Sequence, residues 1–216
     1  MGIAERRERE KERRRNEIID AAEKVFFAKG LANATMDDVA EEAELSKGTL
    51  YLYFKNKEEL YLAINRRGLE ILEKMFIDAA AQAQSGLEKV YAIGQSYFRF
   101  QNQYSDYFNA MIYYESHQID FSEDNSCAMA CDQQGEKTLR VLVEAIESGI
   151  KDGTIRPDVE PMKTALVLWG QSTGIMQICS LKGVHIEEEH NINPDDIIDL
   201  SFDLIKRALQ NSKDKK

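Results

Sequence analysis

The amino-acid sequence predicts an all-α protein in which a small N-terminal group of three helices precedes a larger helical region. Apolar residues recur at helical spacing along most of the 216 residues, and no strand-like alternation persists for long. Helix-capping residues punctuate this pattern, with a capping side chain before proline at Glu160-Pro161 and again at Asn193-Pro194. The length allows one large domain, or a small domain joined to a larger one.

The first helix is predicted from about Arg14 to Lys29, with Gly30 just after its C-terminal cap. Residues 1–13 are rich in arginine and glutamate and are predicted to form a basic N-terminal arm. Such charge runs are usually solvated helix extensions or disordered segments, so a partner for the arm is left open.

A short third helix is the most informative element of the N-terminal part. Thr35 is predicted to cap a brief second helix, a tight turn follows at 44–46, and the third helix begins at Ser46. Asn56 then caps a long helix that is predicted to run to about Gln84. Helix, tight turn and short helix within about twenty residues is the helix-turn-helix arrangement. Because so short a helix is not stable alone, Leu50 and Phe54 are expected to pack against the first two helices.

That packing leaves a set of polar and small residues exposed on the third helix. Gly48 lets the backbone approach a surface closely, and Thr49 can meet a base edge or a thymine methyl in the major groove. Lysines and tyrosine hydroxyls near this helix are suited to phosphate oxygens. In the alternative interpretation, Tyr51 and Tyr53 are core aromatics and the lysines form a solvated face.

Residues 14–62 resemble the DNA-binding region of the TetR family of bacterial transcriptional regulators. The resemblance rests on Ile18 to Phe26, Gly30, the Thr35-x3-Val39-Ala40 segment, and the run from Ser46 to Leu60. The rest of the chain matches the family only in layout. The resemblance implies a homodimer that binds pseudo-palindromic double-stranded operator DNA, most simply as a repressor that a small-molecule effector releases. The predicted DNA-binding residues are Thr35, Ser46, Lys47, Gly48, Thr49, Tyr51, Tyr53, Lys55 and Lys57.

The net charge of −10 does not exclude DNA as a partner. Acidic and basic residues balance through Arg67, so the whole excess of negative charge lies in residues 68–216. Local positive charge, in the basic arm and at Lys47, Lys55 and Lys57, is what phosphate binding requires.

Residues 63–216 are predicted to form an effector-binding and dimerisation domain. The stretch from Ala165 to Leu181 is apolar nearly all round and contains a Gly-x-x-x-Gly spacing, which lets another helix approach closely. Together with the last helix it is expected to form a four-helix bundle across a twofold axis; the alternative is that both helices are buried within one subunit. The predicted interface residues are Leu166, Gly170, Gly174, Gln177, Ile198, Phe202, Ile205 and Leu209.

An aromatic and methionine-rich set of side chains in the same region suits a cavity for an apolar or amphipathic effector. An ordinary hydrophobic core is the alternative interpretation. The predicted pocket residues are Tyr97, Phe98, Gln101, Tyr107, Met111, Tyr114, Trp169 and Met176.

Other chemistry is weakly indicated. Cys127-x3-Cys131 and the histidines His185 and His190 do not complete a zinc signature, and buried thiols beside an acidic loop are the simpler interpretation. No catalytic motif, metal site or cofactor is predicted. The charged N-terminus and the odd number of cysteines are typical of a cytoplasmic protein without disulfides or membrane spans. The second function considered is a nucleoid-associated or division-linked DNA-binding protein of the same fold that has no small-molecule effector.

Overall fold

The protein is described from a computed structural model that covers residues 2–116 and 126–211. In these ranges the chain forms α-helices and an isolated β-bridge between Ile155 and Gln210, which confirms the all-α prediction. The polar connection predicted for residues 117–125 lies outside the described residues. The helices are α1 (Ile3–Lys29), α2 (Met36–Glu42), α3 (Lys47–Tyr51), α4 (Lys57–Ala81), α5 (Gly86–Gln103), α6 (Ser105–Ser116), α7 (Ser126–Asp152), α8 (Pro161–His190) and α9 (Pro194–Leu209).

Helix ends agree with the predicted caps but differ from some predicted bounds. Thr35, Glu160 and Asn193 cap α2, α8 and α9 with their side chains, as the sequence predicts, and Ser46, predicted as the start of the third helix, is the cap of α3. By contrast, α1 begins at Ile3 rather than near Arg14, so the basic arm is a helical extension of α1. Helix α8 continues to His190, so the acidic stretch predicted as a loop is helical.

The chain divides into two compact units, and the division does not follow the sequence-based boundary after residue 62. The first unit comprises Met1–Leu69 with Asp106–Gln134, and the second comprises Glu70–Ser105 with Gly135–Lys216. Helix α6 and the start of α7 therefore pack with the helix-turn-helix region. One reason is a buried hydrogen bond in which the Tyr61 hydroxyl donates to the Ala110 carbonyl oxygen at 2.7 Å.

The core of the first unit supports the short helix α3. Leu50 and Phe54 are fully buried, and they join apolar residues from α1, α2, α4 and α6 in one cluster. Its members include Ile18, Ala22, Phe26, Val39, Ala40, Leu60, Ile64 and Ala110. Burial of a large apolar side chain stabilises a fold by about 1.5–3 kcal/mol, so two such anchors can hold a helix of five residues.

The second unit is held together where α5 begins. A side chain at Gly86 would place its Cβ 2.0 Å from the Gly149 backbone nitrogen, so α5 and α7 approach at a distance that glycine permits. The Gly86 amide donates to the Asp152 carboxylate at 2.7 Å, which satisfies one of the free amides at the start of α5. The connection after α7 is tied to the end of α9, because the Arg156 amide donates to the Leu209 carbonyl oxygen at 2.9 Å.

Along residues 2–116 and 126–211, no helix is both long enough and apolar enough to cross a membrane.

Candidate DNA-binding face and regulatory surfaces

The N-terminus of α3 is built by its own capping residue. The Ser46 hydroxyl accepts a hydrogen bond from the Thr49 amide at 3.2 Å, and its oxygen lies 2.9 Å from the Thr49 hydroxyl oxygen. The turn before it is tight, since Glu44 has a positive φ of 53°. This arrangement fixes the first turn of α3, in which Lys47 and Gly48 are exposed and Thr49 is half-buried.

The exposed face of α3 is open and mixed in chemistry. A Cβ at Gly48 would contact nothing closer than the Ser46 hydroxyl at 3.9 Å, so another backbone or a groove edge can approach it. Tyr51 is 50% exposed, which rejects the alternative that it is a core residue. Leu52 is 82% exposed and was not predicted as a site residue. Its spacing of two residues from buried Leu50 turns it to the opposite side of the helix, a signal that the sequence contained.

Charges around α2 hold the face in place. Lys47 forms an ion pair with Asp37, with Nζ and Oδ2 2.6 Å apart, although both groups are exposed. The hydrogen bond from Lys29, together with those from the Thr35 hydroxyl and amide, lowers the pKa of Asp38 to about 2. Thr35 is thus occupied as the cap of α2, and its exposed position also leaves it accessible to a partner.

Three of the predicted DNA-binding residues have further structural roles. Lys57 donates from Nζ to the Leu31 carbonyl oxygen at 2.8 Å in a partly buried position, so it also anchors the α1–α2 connection. Tyr53 is half-buried and packs against the core of the first unit. The Lys55 side chain is exposed, while its amide donates to Glu59 at 2.8 Å.

Helix α6 is attached to α1 and α4 through one shared carboxylate. Glu23 Oε1 accepts from the Tyr107 hydroxyl at 2.7 Å and from Arg67 Nη1 at 2.9 Å. The Tyr107 ring packs so closely on α4 that a Cβ at Gly68 would lie 3.0 Å from its Cδ1 atom. Burial, and the hydrogen bond to Glu23, raise the pKa of Tyr107. Within the first unit, these contacts make α6 part of the structure that holds α3.

The predicted pocket residues are divided between the two units. Tyr107, Met111 and Tyr114 belong to the first unit, and the other five belong to the second. In the second unit Tyr97 and Phe98 are buried. The Tyr97 hydroxyl lies 3.0 Å from the Thr173 hydroxyl oxygen, and the Phe98 ring lies 5.4 Å from the Phe202 ring. Met176 is buried as well, whereas Gln101 and Trp169 are half-buried. The pocket remains a prediction.

An exposed apolar stripe runs along α8 on the side opposite its buried face. A Cβ added at Gly170 or at Gly174 would meet no atom within 4 Å, and Leu166 beside them is half-exposed. Residues outside the prediction extend the stripe, which comprises Leu166, Val167, Gly170, Gly174, Ile178, Leu181 and Val184. Leu181 and Val184 are 82% and 72% exposed. Contiguous exposed apolar surface of this kind marks an interaction site.

The structure corrects the predicted contribution of α9 to this surface. Phe202 and Leu209 are only 8% and 5% exposed because they pack inside the second unit, where Phe202 contacts Tyr91, Gly94 and Phe98. Ile198 and Ile205 lie on the same inward side and are half-buried. The exposed apolar side of α9 instead carries Leu200 and Leu204, with half-buried Ile197 beside them.

Cys127 and Cys131 lie on α7, and His185 and His190 lie at the end of α8. Cys131 is buried between α4 and α7, where burial raises the pKa of its thiol to about 12 and the Asn65 amide nitrogen lies 3.5 Å from its sulfur. Cys127, one turn earlier, is half-buried, and this burial raises the pKa of its thiol. His185 Nε2 lies 3.3 Å from Glu189 Oε2 in the exposed last part of α8, and the helix ends at His190. Over the described ranges, no three potential ligands come together as a metal site.

Comparison with known proteins identifies the family to which this chain is similar. The family model described as "Bacterial regulatory proteins, tetR family" matches residues 18–64. The uncharacterized HTH-type transcriptional regulator YhgD of Bacillus subtilis is 30% identical over 156 residues, which is 72% of this chain and 78% of YhgD. A second regulator of that organism, YfiR, is 45% identical over 76 residues, and this match spans only 36% of YfiR.

A solved structure extends the likeness to the whole fold. The crystal structure of AibR in complex with isovaleryl coenzyme A and operator DNA has a TM-score of 0.64 at 19% identity, covering 88% of this chain and 97% of AibR. At that identity the likeness shows the fold alone. The family model and YhgD carry the assignment further, because both are matches of sequence. The chain belongs to the TetR family of DNA-binding transcriptional regulators, a non-enzymatic family.

Proposed function

We propose that this protein is a dimeric repressor that reads a pseudo-palindromic operator through α3 and leaves it when a small amphipathic effector binds. The observation that supports the reading role most directly is the exposed face of α3, where Gly48, Tyr51 and Leu52 are exposed beside half-buried Thr49 and fully buried Leu50. Residues 63–216 supply the effector-binding and dimerisation functions, and the protein acts in the cytoplasm, where its DNA lies.

Base reading and phosphate binding are assigned to different residues. Thr49, at the capped start of α3, presents a hydroxyl and a methyl group to a base edge in the major groove. Leu52 adds an apolar contact that suits a thymine methyl. Lys47 and Lys55 are exposed cations that bind phosphate oxygens. When DNA binds, Lys47 gives up its exposed ion pair with Asp37 and pairs with a phosphate instead.

Substitutions at Thr49 and Lys55 separate these roles. Thr49→Ala should weaken binding to the cognate sequence by about 1–3 kcal/mol and leave non-specific binding intact. Thr49→Ser keeps the hydroxyl beside Ser46 and removes only the methyl group, so it isolates the apolar part of the contact. Lys55→Ala should weaken all sequences alike and flatten the salt dependence. A uniform loss for Thr49→Ala, measured by fluorescence anisotropy, would contradict the assignment.

Pairing is assigned to the exposed stripe of α8 together with Leu200 and Leu204 of α9. Both surfaces are apolar, and the two open glycines allow helices to approach closely. A twofold interface of α8 and α9 from each subunit presents two copies of α3, which matches two half-sites separated by a turn of DNA or a multiple of it.

The effector is assigned to the second unit, in the region of the five predicted pocket residues that it contains, which are Tyr97, Phe98, Gln101, Trp169 and Met176. Their aromatic, thioether and hydroxyl groups suit a ligand with an apolar part and a polar part. Acyl-coenzyme A thioesters are the first compounds to test, since they are amphipathic and since AibR, which shares the fold, was solved with isovaleryl coenzyme A.

The deciding experiment is a titration of each acyl-coenzyme A with and without a selected operator duplex. If an effector releases DNA, the two ligands must weaken each other by the same factor, typically corresponding to about 1–3 kcal/mol. Calorimetry should therefore show weaker thioester binding to the DNA complex than to the free protein. Equal affinity in both states excludes that compound as the signal. Binding of DNA that no compound in the panel alters would instead support a regulator without a small-molecule effector.

A further inference from the structure

The first part of α1 is exposed to solvent along its whole length. Every residue from Gly2 to Arg13 is exposed, although the helix is continuous from Ile3 to Lys29. A helix of about three turns is marginal in water when no tertiary contact supports it. The segment carries charge rather than an apolar face, so its partner must recognise charge.

Cations on this segment lie along one side of the helix. Arg7, Lys11 and Arg14 follow at spacings of four and three residues, which places them on the same face. Arg14 pairs with Glu17, whereas neither Arg7 nor Lys11 forms an ion pair with any residue of the described ranges. The three positions extend over about 10 Å of helix, at 1.5 Å per residue. We call Arg7, Lys11 and Arg14 the α1 cation stripe.

Arg15 links the α1 cation stripe to the helix-turn-helix region of the first unit. Its guanidinium carbon lies 4.9 Å from the centroid of the Phe54 ring. Arg15 follows Lys11 by four residues, about one helical turn, and so lies on the same side of α1. Phe54 is the buried anchor two residues after exposed Leu52, and exposed Lys55 follows it. The α1 cation stripe therefore continues from the edge of the DNA-reading region, where the segment from α3 to α4 ends.

We propose that the α1 cation stripe binds phosphates of the DNA that flanks each half-site when α3 is docked in the major groove. Charge complementarity favours this occupant, because the chain as a whole carries −10 and its cations are concentrated where a polyanion is held. Among the glutamates of the same segment, Glu12 lies about 100° around the helix from Lys11, whereas Glu8 precedes Lys11 by three residues and borders the stripe. The proposal goes beyond the reading of bases and rests on the docking of α3.

The test uses Arg7→Gln/Lys11→Gln, with Glu8→Gln/Glu12→Gln as a matched control. The probe is a duplex that the wild-type protein selects from a random library. It is used with about ten base pairs of flanking DNA on each side, one helical turn, and also trimmed to the protected site. Fluorescence anisotropy over a range of salt concentrations gives the slope of log K against log salt. The slope should become shallower by about 0.9 for each phosphate contact that is lost.

The expected result is a shallower slope for the arginine–lysine variant on the flanked duplex and no difference from wild type on the trimmed duplex. The glutamate variant should show no such flattening. An unchanged slope on the flanked duplex overturns the proposal, as does an equal loss on both duplexes, which would place the contact inside the site. A change in dimer mass by light scattering without a change in slope would mean that the stripe binds a second copy of the chain. Failure of α3 docking itself is recognised separately, because Thr49→Ala would then leave sequence preference unaltered on both duplexes.

Discussion

Gly174→Leu is the sharpest test of the proposed pairing, because the structure separates its effect on pairing from its effect on folding. A Cβ at Gly174 meets no atom within 4 Å, and Gly170 one turn earlier is equally open. The first atom of a leucine side chain at this position therefore meets open space. Replacing glycine within a helix also favours the helical state by up to about 1 kcal/mol. The isolated subunit should fold at least as well as before.

The same leucine should be costly in the dimer. Inserting a side chain into a closely packed interface typically costs about 1–3 kcal/mol, and a twofold interface contains the substitution twice. The dissociation constant of the dimer should then rise by between about 30-fold and about 20,000-fold, at 1.4 kcal/mol for each factor of ten. Operator affinity should fall with it, because two half-sites are no longer read together.

Sedimentation velocity over a range of protein concentrations measures this change, and circular dichroism checks that helicity is kept. Ser180→Leu is the matched control, since it adds the same side chain to an exposed position of α8 that lies about 120° around the helix from Gly174. We expect Ser180→Leu to remain dimeric. A Gly174→Leu protein with an unchanged dissociation constant would refute the reasoning and would place the interface on another surface.

Three further substitutions test the interior and the electrostatics of the first unit. Asn65→Leu should raise the free energy of unfolding by about 1 kcal/mol, because the buried Oδ1 atom has no hydrogen-bond partner among the described residues; a lower urea midpoint would contradict this. Tyr61→Phe removes the donor to the Ala110 carbonyl and should lower that free energy by about 1 kcal/mol, whereas an unchanged midpoint would show that the bond contributes nothing. The lowered pKa of Asp38, about 2, means that its stabilising contribution is complete above its ordinary pKa and is lost as pH falls toward 2. Thermal melts from pH 5 to 2 should therefore show wild type losing more stability than Asp38→Asn, and parallel curves would disprove the linkage.

The sequence by itself determined the local structure of the first unit and the family. Thr35 and Ser46 carry hydroxyls that cap a helix wherever they precede one, so their structural effect depends only on neighbouring residues. The same holds for the alternation of buried Leu50 with exposed Tyr51 and Leu52, since helical geometry fixes which side chains point apart. Local rules of this kind are sufficient for the helix-turn-helix motif.

Tertiary structure decided which helical faces are covered and which helices belong together. On α9 the sequence offers two apolar sides, and helical periodicity cannot say that Phe202 packs inward on Gly94 while Leu204 is left exposed. The placement of α6 in the first unit likewise depends on Tyr107 meeting Glu23, two residues that are far apart in the chain. Periodicity fixes the angle between side chains on one helix, but only long-range packing selects the partner, and this selection is made by the shape and charge of all the helices at once.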